Sequence, residues 1–342
     1  MYRRLNITWG LLLAVILITS CSDTAMNPTD NATKSTTLTQ SVANDVLIAE
    51  NSSAVDIRNI DLSSVPDFHS INETLAQQGK AIRLAYAETV TGTSGPSVQA
   101  GQLIIANDRT QRLTAQWVPE DFRRPGSTNN LSYVIWNPAS IANFGTSLQV
   151  DGTAAIDASF DTWNDLKVKS KVLAIKLPNT NILPSAILGG DPFLADISEI
   201  GFLPGSIFDA VLGAGASSNV LGVAFTFVWT DTATGEPTDI NNDGFDDIAL
   251  KEVWYNDAFI WTDTGDSSQG TDIETVALHE NGHALGFGHF GKVSVTGLNA
   301  GTPKLHVSPR AVMNAVILGT QRDLLGTDKS SYNSIYGNWP KN

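Results

Sequence analysis

The chain has a single cysteine, Cys21, among 342 residues, so no disulfide can form within it. Its fold must be held by an apolar core and by hydrogen bonds, with bound metals as a further candidate. Basic side chains are scarce beside acidic ones, 21 against 35, giving a net charge of −14. Such a surface repels phosphate backbones and argues against nucleic acid as a partner. Histidine and methionine are also few, five and three. The one long apolar run near the start, Trp9 to Ile18, would rise roughly 15 Å as a helix, short of a bilayer's hydrocarbon core.

That run is instead read as the hydrophobic part of an export signal, with Arg3 and Arg4 as its positive flank. It ends in Ile18-Thr19-Ser20-Cys21, which resembles a bacterial lipobox. The expectation is a lipoprotein signal peptide over 1–21, lipidation of Cys21, and anchoring to an outer membrane or cell surface. A plain signal peptide cleaved beside a chance cysteine is the alternative. Residues 22–45, rich in Ser, Thr, Asn and Asp, have too little apolar surface to offset their ordering entropy and read as a flexible tether.

Residues 46–125 read as a small N-terminal domain and a candidate pro-segment. They carry a helix-like patch around Ile71–Ala87, a β-like run at Gln102–Ala106, and Pro125-Gly126 at the end. Over 126–342 the signals sharpen. Leu131–Trp136, Lys171–Lys176 and Asn219–Trp229 read as strands, and 178–218, rich in Gly and Pro, as long loops. Ile156, Phe160 and Trp163 recur at helical spacing within 151–166. A short closing helix is expected over Thr327–Tyr336.

Thr271 and Glu274 have the spacing of a capping box before an apolar run that stops at Gly286. Inside that run lies His279-Glu280-Asn281-Gly282-His283, continued by Gly286 and His289, the pattern H-E-x-x-H-x-x-G-x-x-H. Two histidines at i and i+4 share one helical face and can reach one ion. Gly286 lets the chain turn back so that His289 supplies a third nitrogen. Three protein ligands leave a position open for water, as in a catalytic zinc site. Glu280 beside them is placed to act as general base. A chance match is on the order of 10⁻⁶ to 10⁻⁵ from residue frequencies.

On these residues the chain, from about Leu131 to Gly337, resembles the metzincins and, within them, the matrixin-like peptidases. Val253–Trp261 looks like the strand and turn before their active-site helix. Ser308–Met313 looks like the approach to their Met-turn, with Met313 beneath the metal ligands, and Asp328–Gly337 looks like their closing helix. The resemblance implies an α+β zincin domain: a twisted, mostly parallel sheet, an active-site helix and a small C-terminal lobe, preceded here by the N-terminal domain. It also implies a zinc endopeptidase cutting protein or peptide substrates that lie extended along the cleft. The spacing from His289 to Met313 is longer than a compact matrixin needs, and the cysteine of a matrixin pro-segment has no counterpart here.

Asp239, Asn241, Asp243 and Asp247, with the carbonyl of Phe245 and a turn at Gly244, form an oxygen-rich series suited to calcium. A plain Asn-Asp-Gly turn between strands is the alternative. Two rival functions stay open: a surface binding module with a vestigial metal site, and a zinc hydrolase acting on a non-peptide amide.

Overall fold

The computed structural model describes residues 68–92, 113–126, 128–137, 141–142, 150–296 and 304–341. The signal segment with Cys21, the tether and the Gln102–Ala106 run lie outside them. In chain order the elements begin with α1 (Phe68–Gln77), β1 (Ile82–Gly92), β2 (Ala115–Gln116), β3 (Leu131–Ile135), β4 (Ile141–Ala142) and β5 (Val150–Asp151). Next come α2 (Thr153–Asn164), β6 (Ala174–Lys176), β7 (Ile197–Leu203), α3 (Gly205–Leu212), α4 (Ala216–Asn219), β8 (Val220–Trp229) and β9 (Asp246–Asn256). The chain continues through β10 (Trp261–Thr262), β11 (Thr271–Asp272), α5 (Ile273–Ala284), β12 (Lys292–Thr296), β13 (Lys304–Ser308), β14 (Val316–Ile317) and α6 (Gly326–Tyr336).

Eight strands make the main sheet, in the order β14-β1-β8-β9-β7-β3-β6, with β2 on the start of β9. Pairing is antiparallel only at β1–β8 and β8–β9, so the sheet is mixed but mostly parallel. Every residue of β7 and β8 is buried, because both faces of the sheet are covered. On one face, α2 and α5 pack through Phe160, Trp163, Val276 and Met313, joined by Tyr332 and Tyr336 of α6. On the other, α1 and α3 bring Ile71, Leu75 and Phe208 against Phe225, Phe227 and Trp254.

Two expectations change. The stretch 178–218 holds β7 and α3 rather than long loops; Glu199 and Gly201 interrupt an apolar run that is nonetheless wholly buried. The described part of 46–125 does not stand apart as a separate domain. Strand β1 pairs with β8 along most of its length, Val90 and Ala115 lie in the core beside α5, and Trp117 Nε1 donates to the Ala284 carbonyl at 3.0 Å.

Glu252 on β9 illustrates the cost of a fully covered sheet. It is completely buried and accepts hydrogen bonds from Ser185 Oγ at 2.8 Å and Ala186 N at 2.5 Å. Burial outweighs these donors and pushes its carboxyl up to about 7 from an ordinary 4.5. Between those values the folded chain holds a proton that the unfolded chain has released. Stability should therefore fall as pH climbs through that window. Thermal melts of the parent and of Glu252→Gln check this: parallel pH profiles for the two would refute it.

Candidate metal centre

Helix α5 starts where Asp272 turns its carboxylate onto the Thr275 amide (3.1 Å) and hydroxyl (2.7 Å). The cap is thus Asp272, one residue later than the Thr271 capping box expected. The same carboxylate accepts from Arg322 Nη2 at 2.5 Å, which fixes the cap to the segment before α6. Asp272→Ala should lower stability by about 1 kcal/mol. A melting temperature equal to the parent's would show the cap to be idle.

The helix ends at Gly286, whose φ of +90° suits a residue without Cβ. The Phe287 amide then bonds back to the Gly282 carbonyl at 3.0 Å, and the Phe287 ring stacks on Trp163 at 5.0 Å. This return carries His289 to the other two histidines. His283 Nε2 lies 3.0 Å from His279 Nε2 and 3.2 Å from His289 Nε2, and all three side chains are buried. Among the described residues this is the only group of three or more potential metal-binding side chains brought together.

Tautomers follow from the partners. His279 Nδ1 meets the Val312 carbonyl and His283 Nδ1 the Phe287 carbonyl, each at 2.7 Å. Carbonyls only accept, so both Nδ1 atoms carry the proton and both Nε2 atoms present lone pairs. Lone pairs facing each other at 3.0 Å repel unless a cation lies between them. The donor set therefore fits a zinc ion.

Met313 is buried against Gly282, between the two histidines of the helix. Its turn is held by Asp328, which accepts from the Val312 amide at 3.0 Å and the Met313 amide at 3.4 Å. Asp328 thereby sets the carbonyl that orients His279. Sequence reading took Asp328 only as the start of a helix, and its place in that first turn was the available signal.

Glu280 is fully buried, and neither of its oxygens has a hydrogen bond among the described residues. Burial first, then the charges of Glu88 and Glu199, hold its carboxyl well above the usual range. Glu199, pushed by burial to about 8, accepts from Tyr255 Oη at 3.0 Å. Glu88, Glu199 and Tyr255 were not singled out from sequence. A charge at an inward position of the Ile82–Gly92 alternation was the one legible sign of Glu88.

The oxygen-rich loop is less gathered than expected. Asp247 is buried and committed to Arg123 Nη2 (2.8 Å) and Thr238 Oγ1 (2.6 Å). Asp239 accepts from the Asp243 and Gly244 amides, and Asp243 from the Phe245 amide, so the turn is closed by its own carboxylates. Asn241 Oδ1 remains buried without a hydrogen bond.

Residues 247–296 match the Matrixin family model, Peptidase_M10. That match supports a metzincin-like family and a zinc-dependent metallopeptidase. It covers β9 from its second residue, α5 and all three histidines, and it stops before Met313. No curated protein matches the chain.

Proposed function

We propose that this protein is a zinc endopeptidase that hydrolyses peptide bonds in extended protein substrates. The observation that carries the reading is the meeting of three imidazole Nε2 atoms beside a buried carboxylate with no hydrogen-bond partner. His279, His283 and His289 would hold the metal. Zinc supplies Lewis-acid chemistry, polarising a carbonyl and making water more acidic. Glu280 takes the proton from the attacking water and passes it to the departing amine. The carbonyls of Val312 and Phe287 keep two of the imidazoles turned toward the site. The bare carboxylate of Glu280 argues against a vestigial site, since an unsatisfied buried acid is costly to keep without use.

A gelatin or casein zymogram tests this. Detergent opens the chain, renaturation closes it, and a cleared band should vanish with chelator and return with zinc. A blank lane at the protein's mass leaves the binding module or the non-peptide amidase standing.

The same reading includes export and lipid anchoring through Cys21, supported by the Arg3–Cys21 pattern. It also includes calcium on Asp239, Asn241, Asp243 and the Phe245 carbonyl, supported by the unbonded Asn241 Oδ1; Asp247 drops out of that set because Arg123 holds it. Mass spectrometry of the mature protein checks both, since it should show a lipid-modified Cys21 at the N-terminus and, under native conditions, bound calcium.

A further inference from the structure

An extended peptide is commonly recognised by adding a strand to a free sheet edge. The sheet offers such a place beside the histidines, along β8. Gly222 of β8 lies against the catalytic carboxylate, so closely that a Cβ there would come within 2.8 Å of Glu280 Oε1. That edge of β8 is taken by the chain itself. Strand β1 pairs antiparallel with β8 from Ile82 opposite Trp229 to Thr91 opposite Val220. On its other side, Thr91 and Gly92 pair in parallel with Val316 and Ile317, three and four residues past Met313. The strand is threaded between the sheet and the segment that follows the Met313 turn.

Its inward side chains reach the site. Val90 sits opposite Gly222 and is fully buried, and Glu88 sits opposite Ala224. The Glu88 carboxylate is 2% exposed, 3.3 Å from His283 Nδ1 and 3.8 Å from Lys251 Nζ. Register shifts fall between Leu84 and Tyr86 and between Val90 and Thr91, and the first of them sets Ile82–Leu84 apart from the rest of the strand. The first part is fixed by Ile82 and Leu84 in the outer apolar cluster. The second part, from Tyr86 to Gly92, passes the site and is held by Val90 in the core, by the Glu88 charge and by the pairing of Thr91 and Gly92 with β14.

We propose that the 86–92 half of β1 is a built-in occupant of the substrate slot, and that a peptide reaches Glu280 only when this half leaves the space between β8 and β14. The inference rests on the peptidase reading. Glu88 acts as a lock, not as a metal ligand. Its charge is held by Lys251, and by the dication when one is bound. Val90 plugs the inward face. The cysteine that a matrixin pro-segment would use is absent from this stretch, and a carboxylate and a valine do the closing instead.

The test uses the zinc-loaded full chain, Val90→Asp and Glu88→Gln, with zinc content measured in each. A fluorescent peptide hydroxamate reports binding by polarisation, separately from turnover. If the open form is about one molecule in a hundred, the parent should bind about 100-fold more weakly than Val90→Asp. Glu88→Gln should lie between them, and peptide hydrolysis should follow the same order. Equal affinity in all three proteins overturns the occlusion and leaves a zymogram-positive peptidase reading intact. No binding in any of them, with zinc present and the zymogram blank, overturns both. Hydrogen exchange on the parent alone guards against misfolded variants. Amides of Val220–Thr226, opposite the 86–92 half, should be protected about 100-fold, the inverse of the open fraction, and less than those of β7 and β9. No protection there would mean that β1 does not seat, and protection equal to that of β7 would mean that its 86–92 half leaves only when the whole protein unfolds.

Discussion

Glu280→Ala is expected to bind zinc as the parent does and to lose about four decades of peptide turnover. The comparison is best made in the Glu88→Gln background, so that β1 does not mask the loss. The expectation follows from what Glu280 touches. Among the described residues its carboxylate has no hydrogen bond or salt bridge, and it is sealed from solvent. A buried acid with no partner costs stability. Replacing it should therefore leave the melting temperature unchanged or slightly raised, while removing the proposed proton acceptor. Turnover within tenfold of the Glu88→Gln protein would assign the base role to a group other than Glu280 or Glu88. A sharp fall in melting temperature would instead show that the carboxylate has a structural partner.

The three-histidine cluster was legible because its parts are close in sequence: two histidines one helical turn apart and a third just past a glycine with φ +90°. Helix α2 and strand β8 were legible from periodicity. Strand β7 was not, because Glu199 and Gly201 break its apolar run. Glu199 is there to meet Tyr255, and Gly201, at φ +85°, absorbs the register shift against β9. The place of β1 was hidden for a different reason. Its partners on β8 and β14 lie more than a hundred residues away, and nothing local tells an edge strand from a strand of another domain. The bond from Arg123 to Asp247 was hidden for the same reason, the two being 124 positions apart. Local chemistry could be read; long-range commitments of individual carboxylates could not.

Gly282 is the x position of the metal motif where long-range packing leaves least room, and Gly282→Ala tests how much the centre depends on it. A Cβ on this residue would fall into the Met313 sulfur and within 3.0 Å of both Met313 Cε and Trp163 Cζ2. Trp163 cannot yield easily, since its Nε1 donates to the Leu278 carbonyl at 3.0 Å and its ring stacks on Phe287. Met313 must therefore move, at a cost of about 1–3 kcal/mol for overpacking a close-fitted core. Its neighbour Val312 supplies the carbonyl that orients His279, so zinc affinity should fall by roughly 10–100-fold as well. A competition titration with a chelating dye measures the second effect and thermal melting the first. Met313→Ala added to Gly282→Ala should recover zinc affinity, because the shortened side chain vacates the space the new methyl needs. If the double variant binds zinc as weakly as Gly282→Ala alone, the coupling does not run through the thioether. The glycine would then act by its effect on the helix backbone between His279 and His283.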